Sequence, residues 1–239
     1  MQIFHDLGIA GKLYWGCYVL GFLTIFVFND FYGKRYGIPP KKSVPFTVVS
    51  YVLIYLWAYI LAWVVNGFEW GHHNAIRVYI WFPVVLLFTC ELFKLDWKTA
   101  CEFITPSTCI VYGIARLGCN FTGCCYGIPA FWGIESVEAG YRCFPVQLCE
   151  AVTSLLIAAF IIRRARRRGY QPDGTLYPLM MIFYGGTRFL WEFLADNNKL
   201  FLHISELALW ALLTCVIGLA WFFAADEQNR KKRTRTRTH

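Results

Sequence analysis

Seven apolar runs, separated by short polar breaks, dominate the 239-residue chain and leave it few ways to fold. They cover approximately 13–32, 44–65, 78–93, 99–115, 146–162, 176–194 and 204–224. Several lie near the minimum of roughly 17 residues that a helix needs to cross a bilayer. With 57% apolar residues, 19% aromatic residues and a mean hydropathy of +0.44, too little polar surface remains to cover a water-soluble body of this size. Lipid requires every spanning backbone group to be paired internally, and runs of this length select helices over a closed barrel. No basic start leads into a short apolar core and a small-residue cleavage site, so the first run is expected to stay as a span. The expectation is an all-α polytopic membrane protein of seven transmembrane helices. Residues 1–228 would form one transmembrane domain, and 229–239 a basic cytoplasmic tail of Lys, Arg and Thr without regular structure.

Charge orients these spans, because Lys and Arg gather on the cytoplasmic side. With the N-terminus outside, the cytoplasmic loops hold Lys34, Arg35, Lys41 and Lys42, then Lys94 and Lys98, then Arg163, Arg164, Arg166, Arg167 and Arg168. The tail adds Arg230, Lys231, Lys232, Arg233, Arg235 and Arg237, so 17 of the 23 basic residues fall on one side. The net charge of +8 is therefore a matter of topology and anionic lipid, not of nucleic acid.

Three sequence stretches carry groups suited to chemistry. The segment after the fourth run begins Arg116-Leu-Gly118-Cys119-Asn120-Phe-Thr-Gly123-Cys124-Cys125-Tyr-Gly127 and is expected to be irregular, with glycines that permit close backbone approach. The fifth run opens Pro145-Val-Gln147-Leu-Cys-Glu150. The sixth contains Tyr184, Arg188 and Glu192 at a spacing of four, which places them on one helix face. An arginine inside a span costs about 2.5–3.5 kcal/mol on insertion scales and is usually retained for a partner or a pathway. Arg188 with Glu192 is readable both as a structural ion pair and as a phosphate grip, since the guanidinium fork suits phosphate oxygens. Arg116 and Arg77 also read as span-end anchors, and Gln147 and Glu150 as helix-start residues.

These stretches, in this order, resemble the prolipoprotein diacylglyceryl transferase family. Arg116, Gly118, Gly123 and Gly127 fall on its signature, Arg-x-Gly-Asn-Phe-x-x-Gly-x-x-x-Gly, and 145–150 is similar to its His-Pro-x-Gln-Leu-Tyr-Glu. Residues 184–193 resemble its Tyr-Gly-x-x-Arg-Phe-x-x-Glu-Phe, and 13–21, with Tyr14 and Tyr18, its first span. Cys119 stands at the signature Asn, with Asn120 one place later, and Cys124 stands at the acidic position. Gly71-His72-His73 lies near the family's His-Gly-Gly segment, and its second-span Gly-Arg pair is missing around 57–62.

The resemblance implies transfer of the diacylglyceryl group of phosphatidylglycerol to the lipobox cysteine of a prolipoprotein signal peptide, at the outer face of a bacterial cytoplasmic (inner) membrane. It implies Arg116 and Arg188 on phosphate, and His72 or His73 as base, with His203 as a rival. Tyr14, Asn120, Gly123, Gly127, Gln147, Glu150, Tyr184 and Glu192 would shape the substrate site. The scheme needs no metal or organic cofactor. Two alternatives stand beside it: a related phospholipid-dependent transferase with a different acceptor, and a non-catalytic lipid-binding membrane protein. Cys119, Cys124, Cys125 and Cys143 share the outer segment, where loop-stapling disulfides are the first expectation. Packing thiols and a metal or catalytic role remain open for them.

Overall fold

Each apolar run becomes a helix in the computed structural model, which describes residues 8–65, 75–136, 138–196, 199–201 and 204–237. In chain order these are α1 (Gly8–Arg35), α2 (Pro40–Val65), α3 (Ala75–Phe93), α4 (Trp97–Thr122), α5 (Val146–Arg167), α6 (Leu176–Glu192) and α7 (Glu206–Arg237). Two small antiparallel pairs, not anticipated from the sequence, lie between helices: β1 (Pro129–Glu135) with β2 (Arg142–Cys143), and β3 (Lys199–Phe201) with β4 (Ile204–Ser205).

The helices divide into outer and inner sets. Helices α1, α2, α5 and α7 are long and apolar enough to cross a membrane, while α3 carries a shorter apolar stretch over Val78–Phe93. They turn large apolar side chains outward, among them Val27, Leu56, Leu156, Val216 and Phe223. A water-soluble protein does not carry apolar surface on this scale, whereas lipid solvates it. The molecule is a multi-pass membrane protein.

Helix α4 is the inner axis, packed chiefly against α1 and α5, while α6 packs on α7 and touches α4 and α5. Asp96 starts α4 by accepting hydrogen bonds from the Thr99 backbone N–H (2.9 Å) and hydroxyl (2.7 Å). Its first turns bury polar groups that find partners on other helices. The Ser107 hydroxyl donates to Asn29 Oδ1 (2.5 Å), Thr108 pairs with Tyr51 (3.1 Å), and Glu102 accepts from the Thr175 and Leu176 backbone at 2.8 and 3.1 Å. Glu102 thereby caps α6 from a distant helix and offsets the positive end of its dipole.

The basic clusters meet at one end of the bundle. Tyr170, after α5, packs on Tyr32 and Tyr36 near Arg35; Trp97 stacks on Trp221; and Asn229 donates to the Asp173 carbonyl at 2.9 Å.

Two expectations need correction. Helix α4 does not stop near Ala115 but continues to Thr122, so Arg116, Gly118, Cys119 and Asn120 are helical. A Cβ on Gly118 would stand only 3.2 Å from Cys17 Cβ and 3.5 Å from Tyr14 Cδ2, so this glycine serves the contact with α1 and does not break the helix. The basic tail is not irregular either: α7 runs on to Arg237. Its 32 residues span about 48 Å, well beyond the roughly 30 Å hydrocarbon layer.

Candidate functional site

Three helices bring ionised side chains together at the end of the bundle opposite the basic clusters. Arg116 lies near the C-terminus of α4, Glu150 in the first turns of α5, and Arg188 and Glu192 in the last turns of α6. Glu150 is the joint. One of its oxygens, Oε2, pairs with Arg116 Nε, and the other, Oε1, lies 2.5 Å from Arg188 Nη1. Arg188 Nη2 reaches Glu192 Oε2 at 2.7 Å, and the Ser205 hydroxyl donates to Glu192 Oε1 at 2.8 Å. Tyr112, one turn before Arg116, accepts from Arg116 Nε at 2.7 Å and donates to Glu150 Oε2 at 3.0 Å.

The chain thus closes as Tyr112–Arg116–Glu150–Arg188–Glu192–Ser205, with Glu150 and Glu192 at 3% and 1% side-chain exposure and Arg116 and Arg188 at 12% and 7%. The four formal charges cancel. That cancellation makes the burial tolerable, since an unpaired ion here would cost several kcal/mol. Above the arginines the rings of Tyr79, Tyr112 and Tyr184 pack together, with centroids 4.3 Å (Tyr79–Tyr184) and 4.8 Å (Tyr112–Tyr184) apart. The buried Tyr184 hydroxyl has no hydrogen-bond partner among the described residues.

The segment after α4 walls this constellation. Gly123 ends the helix in the left-handed region, φ 73°. Its carbonyl accepts from the Ser136 hydroxyl (2.7 Å), and the Cys124 carbonyl accepts from Gln147 Nε2 (2.7 Å). Gln147 is therefore a tie between α5 and this turn. Gly127 bridges to Ala195 just past α6. A Cβ there would stand 2.5 Å from the Phe144 carbonyl and 2.6 Å from that of Leu194, which is why glycine is required. The Ile128 N–H donates to the Leu194 carbonyl (2.9 Å) and the Phe144 N–H to the Ile128 carbonyl (2.9 Å), joining the turn to both α5 and α6.

All ten cysteines are free, so the expected loop-stapling disulfides do not form. Cys119, Cys124 and Cys125 instead form a cluster whose sulfur atoms all lie within 4.8 Å of one another. Cys143 stands elsewhere, its thiol 3.4 Å from the Tyr141 carbonyl. Hydrogen bonds from Cys119 and Cys124, followed by the charge of Arg116, hold the Cys125 thiol well below the ordinary thiol range. The hydrogen bond with Cys119 lowers Cys124, but that with Cys125 together with burial pushes it up to about 11.

Of the residues singled out from sequence, Arg116, Arg188, Glu150, Glu192 and Tyr184 meet in one network. Gly123, Gly127 and Gln147 shape its wall, and Tyr14 lies within electrostatic reach of the three thiols. Asn120 sits half-buried one turn after Arg116. His72, His73 and His203 lie outside the described residues, as does the side chain of Arg77. Sequence reasoning missed Tyr112 and Ser205. The spacing of Tyr112 four residues before Arg116 was a usable signal; Ser205 offered none.

A family model described as prolipoprotein diacylglyceryl transferase matches residues 78–224, which includes α4, α5, α6 and every member of the ion network. A phosphatidylglycerol–prolipoprotein diacylglyceryl transferase of Clostridium tetani (strain Massachusetts / E88) is 27% identical over 159 residues, 62% of this chain and 59% of that protein. The protein named phosphatidylglycerol–prolipoprotein diacylglyceryl transferase 2 of Clostridium perfringens (strain 13 / Type A) is 24% identical over 119 residues, 46% of this chain and 45% of that protein. The chain thus spans roughly half the length of the relatives it matches.

Proposed function

The chain belongs to the prolipoprotein diacylglyceryl transferase family, and from that premise we propose that it transfers the diacylglyceryl group of phosphatidylglycerol to the lipobox cysteine thiol of a prolipoprotein. In this reading all seven helices cross the bacterial cytoplasmic membrane, the basic end faces the cytoplasm, and the ion network opens to the outer leaflet.

One observation carries the proposal: two arginines from different helices grip opposite oxygens of a single carboxylate, Glu150. Two guanidinium groups close enough to share a carboxylate are close enough to share two oxygens of a phosphodiester. The headgroup would take part of the arginines' hydrogen bonding from Glu150, and Tyr184 would supply a hydroxyl that has no partner among the described residues. In the reaction the acceptor thiol gives up its proton to solvent, and the resulting thiolate sulfur attacks the glyceryl carbon bearing the phosphate. The carbon–sulfur bond forms as the carbon–oxygen bond breaks, and glycerol phosphate leaves. The departing phosphate gains charge at that moment, so preorganised cations stabilise the transition state more than the bound lipid. Glu150, Tyr112 and Glu192 hold those cations in place, which spares the site that reorganisation.

The departure at Cys124, where the resembled signature has an acid, favours a second reading in which the donor site is kept and the acceptor differs. One experiment separates the two. The purified chain is incubated with phosphatidylglycerol labelled in the diacylglyceryl group and a lipobox peptide. Label on the peptide supports the first reading, and lipid consumption without peptide label the second. Arg116→Ala and Arg188→Ala should each lower turnover by about 100-fold or more, the range found when one charge-stabilising donor is removed. Arg188→Lys retains the charge but loses the fork and should fall between them and the unaltered protein. Turnover unchanged in Arg188→Ala would refute the phosphate assignment.

A further inference from the structure

The three thiols beside Arg116 are not used by the phosphate site, and their arrangement is hard to explain as packing. Cys119 lies on the last turn of α4; Cys124 and Cys125 follow across the Gly123 cap. The chain reverses there through two left-handed residues, Gly123 at φ 73° and Cys125 at φ 58°. For glycine that conformation is free of penalty, whereas a cysteine is forced into it against its preference, a kind of strain that gathers at functional sites. The reversal is what brings Cys119 and the two cysteines five and six positions later to sulfur separations within 4.8 Å. It is pinned from outside through the Gly123 and Cys124 carbonyls, held by Ser136 and Gln147. Thr122 adds a hydroxyl contact to the Cys124 sulfur at 3.3 Å. The exposure grades from Cys119, buried, through Cys124 to Cys125, exposed, so the cluster opens on one side only.

We infer that Cys119, Cys124 and Cys125 form a three-thiolate site for a thiophilic divalent cation, Zn(II), with its fourth position open to a substrate thiol. Zinc–sulfur bonds of about 2.3 Å in a tetrahedron place sulfurs about 3.8 Å apart, so the observed cluster needs to contract by about an ångström or less. Three sulfur ligands select a soft cation over calcium or magnesium. Three thiolates on Zn(II) leave one negative charge; Arg116, already paired with Glu150, lies beside it and eases that charge without cancelling it. Three protein ligands and an open position are the pattern of a reactive zinc site, since structural sites use four.

The role of the open position rests on the transfer proposed above. An acceptor thiol that binds Zn(II) loses its proton to water, because a coordinated thiol is held as thiolate. That sulfur pair forms the new bond to the glyceryl carbon; the electron pair of the broken carbon–oxygen bond leaves with glycerol phosphate, beside Arg116 and Arg188. No electron is gained or lost by the metal. The site would thus supply the deprotonated acceptor at the same helix end that holds the donor.

The test uses the full chain, purified in uncharged detergent under reducing conditions and loaded with Zn(II) or Co(II). One zinc per chain by elemental analysis is expected, and with Co(II) a thiolate-to-metal charge-transfer band. Both should be lost in Cys119→Ser/Cys124→Ser/Cys125→Ser and kept in Cys143→Ser. The single variant Cys125→Ser, at the exposed member, guards against loss of fold and should bind at least 10-fold more weakly with an unchanged elution profile. Addition of a lipobox peptide to the Co(II) form should change the band, and the same peptide with serine for cysteine should not. Absence of stoichiometric metal, equal loading of the triple variant, or a disulfide within the trio under these conditions would overturn the site. A band indifferent to the thiol peptide would overturn the open position. Both readouts are independent of lipid transfer, so loss of transfer alone would refute the proposed function and leave the site standing.

Discussion

Replacing Glu150 with Gln tests the ion network at its joint. Gln keeps the shape and one carbonyl acceptor but removes the charge on which Arg116 and Arg188 both rely, leaving two buried guanidinium groups with Glu192 as their remaining carboxylate in the network. Removing one partner of a buried pair costs about 3–5 kcal/mol. The retained hydrogen bond should place this case at the lower end, about 3 kcal/mol. At roughly 2–4 °C per kcal/mol for a chain of this length, Tm should fall by about 6–12 °C. Thermal unfolding in uncharged detergent, followed by circular dichroism, reads this directly. Because the variant site carries one excess positive charge, phosphatidylglycerol should restore more of the loss than phosphatidylcholine does. Adding Arg116→Gln to the variant should cost less than Arg116→Gln costs alone. A Tm within about 2 °C of the unaltered protein, or strictly additive effects, would refute the shared-carboxylate account.

Three further outcomes follow from the geometry. Gly127→Ala would push a Cβ against two backbone carbonyls and should cost about 1–3 kcal/mol, read as a lower Tm together with weaker lipid transfer. Ser205→Ala removes the hydroxyl that donates to buried Glu192 and should cost about 1.5–3 kcal/mol by the same measurement, with Ser205→Thr recovering part of it. In metal-free protein the thiolate of Cys125 persists as pH falls below the ordinary thiol range, whereas that of Cys124 is lost below about 11. Maleimide labelling at neutral pH, mapped by mass spectrometry, should therefore favour Cys125, and preferential labelling of Cys124 would contradict it.

Much of the bundle was readable from the chain because its signal is local. An apolar run long enough for a helix announces itself, and all seven helices lie where such runs were found. Arg188 stood out for a similar reason, as an ion in an apolar stretch. Helix α4 was read too short because Gly118 and Gly123 look alike in sequence; only Gly123 ends the helix, while Gly118 admits α1. Sequence spacing paired Arg188 with Glu192 four residues on, a pairing the structure contains. It had no means of showing that Glu150, 38 residues earlier, ties Arg188 to Arg116, because that link depends on how α4, α5 and α6 pack. The thiol cluster was partly legible, a metal role being one of the readings left open for these cysteines, but its geometry was hidden, since C-x4-C-C brings sulfurs together only through a reversal that a cysteine itself must enter with positive φ.

The split between inner and outer helices also bears on how the protein is made. Helices α4 and α6 carry the arginines of the network, yet neither is among the helices long and apolar enough to cross a membrane by themselves. Glu102 and Arg188 would each oppose entry of an isolated helix into lipid. In the proposed seven-span topology α4 would wait during synthesis beside α1, α2 and α3, which supply partners such as Asn29 and Tyr51, while Arg116 stays uncompensated until α5 emerges with Glu150. Arg188 arrives third of the four ions, and Glu192 follows four residues later to complete the set. Completion of the site is thus a late event in biogenesis, and a chain stalled before α6 would expose an unfinished polar seam for quality-control proteases to recognise.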